Sequence, residues 1–216
     1  MQFESTELVV IGGGPAGMMC AYQAASRGVK TLLLEPNDKL GRKLRITGKG
    51  RCNLTNNCDV KTMMANIPGD GRFLYSALNR FGPADTMAFF ENAGLPLKTE
   101  RGNRVFPQSD NANDVAATIA ALCRKAGVRT VKTKAKQIIT ENGAVAGVMT
   151  EAGTISCRAA AVCTGGLPIR SQAPLATVTA LPKSWATRSR CAARPLSRSK
   201  AAMIIAPRCR ALPRKT

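Results

Sequence analysis

Apolar positions along the chain change their period twice. A β-branched apolar run at 8–11 (LVVI) suits a buried parallel strand, because a strand covered on both faces needs no alternation. Met18, Ala21 and Ala25 then recur at helical spacing, Gly28 stops that helix, and 31–34 (TLLL) supplies a second buried strand ending in Glu35. Between 70 and 94, the sets Phe73, Leu74, Leu78, Phe81 and Met87, Phe89, Phe90 predict two short amphipathic helices parted by Gly82-Pro83, with their aromatic rings in the core. The segment 111–126 reads as a third helix, with Val115, Ile119 and Leu122 on one stripe and Gly127 as its stop. Residues 102–107 read as a loop and a short strand, in which Arg104 is an exposed cation by default. From Val128 the period becomes two. Segments 135–140 and 144–150 flank Asn142-Gly143 as a β-hairpin, and 154–158 and 160–163 follow as further strands. The order predicts an α/β fold: a Rossmann-like parallel sheet with a β-meander as crossover.

The turn between the first strand and helix carries the clearest chemistry. Gly12, Gly14 and Gly17 stand at GxGxxG spacing, with Pro15 at the helix start and Ala16 beside it. Gly12 permits the tight turn, Gly14 lets backbone approach a pyrophosphate, and Gly17 lets helix and strand pack closely. The helix N-terminus offers free N–H groups and a partial positive charge to phosphate. Glu35, 18 residues beyond Gly17, can accept hydrogen bonds from a ribose hydroxyl and would repel a 2′-phosphate. A lone GxGxxG is weak, but here strand, glycines, helix, second strand and terminal acid occur in order, which predicts dinucleotide binding. The motif does not choose between NAD and FAD. The next segment, 41–57 (GRKLRITGKGRCNLTNN), joins glycines to Arg42, Lys43, Lys49 and Arg51; it suits either a loop wrapping a diphosphate or a solvated surface loop.

Composition separates two parts of the chain. Residues 1–166 hold all 19 glycines, all 13 acidic residues and 21 of the 32 Lys/Arg, so their net charge is 21 − 13 = +8. Residues 167–216 hold the remaining 11 Lys/Arg, six of the 12 prolines, no glycine and no acid, giving +11 of the +19 total. The eight cysteines form no CxxC pair, and with no histidine a zinc or haem site, a Ser–His–Asp triad or a Cys–His pair has nothing to build on. The start of the sequence has no basic region or cleavage site, and no apolar run approaches the roughly 18 residues that a bilayer span needs. The expectation is therefore a cytoplasmic chain with reduced thiols and no membrane partner.

At GRKLRITGKGRCNLTN the sequence resembles a bacterial family of NAD(P)/FAD-dependent oxidoreductases, described as BaiN-like or aminoacetone-oxidase-like. IGGGPAG, GNRVFPQSDNANDV from Gly102 and AVCTGG from Ala161 extend the likeness over 6–166. The resemblance implies an FAD-dependent oxidoreductase that moves a hydride or electrons to or from a small molecule, with NAD(P)H as a candidate reductant. It implies that Gly12, Gly14, Pro15, Ala16, Gly17 and Glu35 hold the adenosine diphosphate half of FAD. It places Arg42, Lys43, Arg51, Cys52 and Asn53 along the flavin side, backbone near Ala135 facing the adenine, and Thr164-Gly165 in a turn near the cofactor. No catalytic side chain is named. Cys52 is the candidate of most interest because Arg51 beside it would lower its pKa, but a buried structural cysteine is the default reading.

Family members are about twice this length, so 1–166 is expected to be the N-terminal FAD-binding portion of a longer flavoprotein. Residues 167–216 are expected to be non-native. Regrouping the possible codons from the third base of Leu167 permits S-Y-P-L-T-G-S-T-G-D-G-Y, which is similar to the family's continuation after TGG. Trp185 before Ala186 then forces glycine, and Met203 before Ile204 forces aspartate. A shifted reading frame after Gly166 accounts for this, and it predicts a basic, disordered tail with no packed domain and few contacts to the rest. The competing reading is a basic protein that binds nucleic acid or an anionic surface; on the first reading such binding is non-specific and resides in the tail.

Overall fold

The computed structural model describes residues 5–165 and 203–205. They fall into two compact units, one formed by the described residues up to 40 and from 123 onward, the other by 41–122. The first unit is built on a sheet of order β6-β2-β1-β9-β8-β7. Its strands are β1 (Thr6–Ile11), β2 (Thr31–Leu34), β6 (Arg129–Val131), β7 (Ala135–Glu141), β8 (Ala144–Thr150) and β9 (Gly153–Val162). β1 lies at the centre, parallel to β2 through Val9↔Leu32 and Ile11↔Leu34, and parallel to β9 through Val9↔Ala160 and Ile11↔Val162. Val9, Val10 and Leu33 are fully buried. Burial of such a side chain is worth about 1.5–3 kcal/mol, so the unbroken apolar runs decide the position of these strands.

Helix α1 (Pro15–Ala25) buries Gly17, Met18 and Ala21 and ends where Gly28 takes φ +82, the left-handed conformation expected of a helix stop. The hairpin β7–β8 turns at Asn142 (φ 51) and Gly143 (φ 77), as two adjacent left-handed residues require. One expectation is corrected. The strands predicted at 154–158 and 160–163 are one ten-residue strand, β9. Its first half pairs antiparallel with β8 and buries alternate residues; its second half pairs parallel with β1 and buries three in succession. The change of period came from a change of neighbours rather than from a break in the backbone.

The expectations for 167–216 lie outside the described residues, apart from Met203–Ile205. This apolar triplet forms β10, antiparallel to β9 with Met203↔Val162 and Ile205↔Ala160, a pairing that the composition did not suggest.

The second unit holds a three-stranded antiparallel sheet of β3 (Thr55–Asn56), β5 (Arg104–Pro107) and β4 (Leu97–Glu100), in the order β3-β5-β4. Around it lie the short helices α2 (Val60–Ala65), α3 (Tyr75–Arg80) and α4 (Pro83–Asn92). The starts of α2 and α4 rest on local carboxylates. Asp59 Oδ1 accepts from the Thr62 amide at 2.6 Å, and Asp85 Oδ2 accepts from the Gly82 amide at 2.8 Å. The predicted helix pair at 70–94 is present, although Phe73 and Phe81 are exposed rather than in a core. Helix α5 (Ala112–Lys125) follows, close to the predicted 111–126.

Candidate dinucleotide site

In the first unit the glycine turn is closed on one side and open on the other. Gly12 has φ +109, and a Cβ there would lie 2.6 Å from the Cys163 carbonyl oxygen and 3.1 Å from the Thr164 amide nitrogen. A Cβ on Gly17 would lie 1.8 Å from the Gly12 carbonyl oxygen. Both positions are glycine because backbone occupies the space. Gly14 differs: a Cβ there would meet nothing within 4 Å, so packing does not require its glycine. Gly14 is the N-cap of α1, without a side-chain cap, and Pro15 and Ala16 beside it are exposed. The turn therefore presents helix N–H groups and a bare Cα to solvent, the two features that a pyrophosphate needs.

Glu35 is fixed against this turn. Its Oε2 accepts from the Gly13 amide at 2.7 Å, while Oε1 accepts from the Asn37 amide at 3.0 Å and the Asn37 side chain at 2.5 Å. A carboxylate offers about four acceptor positions, so a ribose hydroxyl can still be received. The Glu35 amide donates to the Val131 carbonyl at 3.1 Å, and Val131 and Ala135 both pack against the sheet's buried cluster. Between them Thr133 is 5% exposed, and its hydroxyl has no hydrogen-bond partner. Thr164 is half-buried and Gly165 exposed, directly after β9. The structure thus gathers Gly12, Gly14, Pro15, Ala16, Gly17, Glu35 and Thr164 about one turn. The motif did not single out Asn37 or Thr133; an Asn two residues beyond the acid was the available signal for the first, and an unpaired hydroxyl has none in sequence.

The second unit carries the other predicted residues. Arg42 and Lys43 are exposed. Arg51 is held by the Glu100 and Asp110 carboxylates, the latter at 2.6 Å, and its guanidinium lies 4.3 Å over the Phe106 ring. Lys98 joins the network through Asp110 at 2.6 Å. These cations hold both carboxyl groups below the usual carboxylate range. Asn53, oriented with its amide nitrogen toward the Val105 and Thr55 carbonyls, reaches them at 3.2 and 2.9 Å. The expectation that Arg51 lowers the pKa of Cys52 is corrected. Cys52 is 1% exposed with φ +61, and burial raises its pKa, while the charge of Arg51 is committed to carboxylates. Its burial is what the structural reading of Cys52 expects. Arg104 is exposed, donates to the Arg101 carbonyl at 3.1 Å and sits 5.7 Å over Phe106.

A parallel sheet whose first turn closes on glycine backbone, with an acid fixed at the end of the second strand, defines a dinucleotide-binding Rossmann domain. Comparison with known proteins gives the lineage. Residues 6–178 match the HI0933-like protein Rossmann domain, and the chain belongs to that FAD-binding family. Over 122 residues it is 36% identical to the 3-dehydro-bile acid delta(4,6)-reductase of Clostridium scindens, which covers 56% of this chain and 29% of that protein. It is 28% identical to the ribosomal RNA dihydrouridine synthase of Escherichia coli, covering 76% of this chain and 40% of that one. The chain thus spans less than half the length of either relative. The fold is also that of the 3-ketosteroid-delta4-(5alpha)-dehydrogenase of Rhodococcus jostii, with a TM-score of 0.61 at 16% identity over 77% of this chain and 47% of that chain. Among the described residues no helix is long and apolar enough to cross a membrane.

Proposed function

We propose that the intact protein is a cytoplasmic FAD-dependent oxidoreductase that reduces a carbon–carbon double bond conjugated to a carbonyl group, with NAD(P)H as reductant. The observation that carries this reading is the turn itself: open at Gly14, sealed by backbone at Gly12 and Gly17, with the Glu35 carboxylate fixed against Gly13. In this reading the amides of Ala16 and Gly17 bind the FAD pyrophosphate, and Glu35 receives the adenosine ribose. The strip from Thr133 to Ala135 adjoins the adenine, where the unpaired Thr133 hydroxyl gains a partner. Thr164 and Gly165 border the cofactor. Arg42 and Lys43 approach from the flavin side, while Arg51, Cys52 and Asn53 act by fixing the loop that carries them. FAD, when bound, supplies two-electron redox chemistry; the chain binds it, orients it and shields it from water.

The substrate class is supported by two names. One relative is a reductase of delta(4,6) bonds in a 3-dehydro bile acid, the other makes dihydrouridine, and both activities remove a double bond conjugated to a carbonyl. The test uses the frame-restored, full-length protein with FAD, and reads NAD(P)H consumption with a 3-oxo-delta(4,6) steroid acid in one arm and a uridine-containing RNA in the other. Turnover in either arm supports the chemistry and picks the substrate. Protein that retains no FAD, or that ignores both acceptors, overturns it. Non-specific DNA retention that vanishes when 167–216 are deleted is assigned to the tail, and retention that survives deletion favours an RNA substrate.

Residues 167–216 are, in the same proposal, the product of a shifted frame. The coding DNA decides this. Third bases after Gly166 that spell the glycine-rich continuation sustain the proposal, and third bases that do not overturn it.

A further inference from the structure

Helix α1 and the end of β9 meet beneath the dinucleotide turn, and each brings a thiol there. The Cβ position of Gly17 lies 3.3 Å from the Cβ of Cys163, which puts this face of α1 directly against Cys163. Cys20 follows three residues later on the same face of the helix. The two side chains are therefore neighbours, and neither thiol is in a disulfide. Cys163 is 6% exposed and Cys20 is half-buried, so solvent reaches the pair from the Cys20 side.

We infer that Cys20 and Cys163 form a reversible dithiol–disulfide site under the nucleotide turn, oxidised by hydrogen peroxide and reduced again by a small dithiol. The Cys20 thiolate attacks one peroxide oxygen and the O–O bond breaks. Hydroxide leaves, takes up a proton and becomes water, and Cys20 becomes a sulfenic acid. The Cys163 thiol then gives up its proton and attacks the Cys20 sulfur, and the S–O bond breaks with loss of a second water. Two thiols and one peroxide thus give one disulfide and two waters.

The other buried thiols are unsuited to the first step. Burial pushes Cys123 and Cys157 up to about 11, and the Cys123 sulfhydryl donates to the Met18 carbonyl at 3.2 Å. Cys20 is drawn down to about 7 by the hydrogen bond from Cys163, against the opposing effect of burial, and Cys163 is correspondingly raised. The more accessible thiol is therefore also the more readily ionised. A disulfide here would tie the second turn of α1 to the end of β9, the two elements that close on the glycine turn, independently of any flavin chemistry.

Peptide mapping tests the pair directly, because trypsin places Cys20 alone in 1–27 and Cys163 alone in 159–170. Native full-length chain is treated with equimolar hydrogen peroxide, alkylated and digested. The expected product is the 1–27/159–170 cross-link, reversed by dithiothreitol and several-fold above its share after oxidation in denaturing guanidinium, where eight cysteines pair at random and Cys20 finds Cys163 roughly one time in seven. The Cys163→Ala variant is expected to accumulate dimedone-reactive sulfenic acid at Cys20, and Cys20→Ala to leave Cys163 unoxidised. If a variant fails to fold, the unsubstituted chain decides alone. A cross-link no more abundant in native than in denatured chain, or oxidation centred on Cys58, overturns the inference.

Discussion

The two units are held together by different means. The sheet unit rests on fully buried aliphatic side chains, Val9, Val10, Leu33, Val148 and Ile155, and on glycine where backbone meets backbone. The 41–122 unit has shorter strands and, α5 apart, shorter helices, caps α2 and α4 with carboxylates, and gathers Arg51, Lys98, Glu100 and Asp110 into a partly exposed ion-pair network. Damage to the first should be steric, large and insensitive to salt. Damage to the second should be electrostatic, smaller and dependent on pH.

The largest expected effect is that of Gly17→Ala. The added carbon would lie 1.8 Å from the Gly12 carbonyl oxygen, and we expect a loss of about 3–5 kcal/mol, read as a lowered denaturation midpoint. Gly14→Ala sharpens the contrast within one motif. No atom lies within 4 Å of its new carbon, so stability should stay within about 0.5 kcal/mol of the parent while FAD affinity, measured by flavin retention in the frame-restored protein, falls at least about tenfold. If both variants lose stability equally, the open side of the turn is not open. Glu35→Ala removes the acceptor for Gly13 and Asn37; FAD affinity should drop about tenfold, with about 1–2 kcal/mol of stability lost.

Acid separates the units. Glu100 and Asp110 titrate lower in the folded chain than in the unfolded one, so their stabilisation is complete above the unfolded carboxylate range near about 4 and is lost as pH falls through the lower folded values. Proteolysis should open 41–122 before the sheet as pH is lowered below about 4, and Arg51→Ala should produce the same susceptibility at neutral pH. The smallest effect belongs to Arg72→Ala. Its partner Asp70 is local and both side chains face water, so no shift in midpoint is expected.

The sheet unit was the more legible of the two for a physical reason. Unbroken runs such as 8–11 and 31–34 have one way to be buried, and the glycines were placed by spacing alone. The roles of Gly12 and Gly17 are therefore legible in the sequence, whereas the continuity of β9 through Ala159 is not. A strand that changes partners changes its burial pattern without ending. In the second unit, α2, β3 and β4 carry too few apolar positions to show a period. Arg51 read as a ligand for phosphate because its partners, Glu100 and Asp110, lie some fifty residues away in the chain, where spacing carries no information.

The shared strand β9 also sets an order of events during synthesis. β1 emerges from the ribosome first, but its edge opposite β2 has to wait for β9, since Thr6 pairs with Cys157. At about 5–20 residues per second that interval lasts on the order of ten seconds or more, with an apolar strand edge unprotected throughout. A nascent chain built this way should depend on chaperones early, and its yield should respond to translation speed before it responds to any change in the final packing.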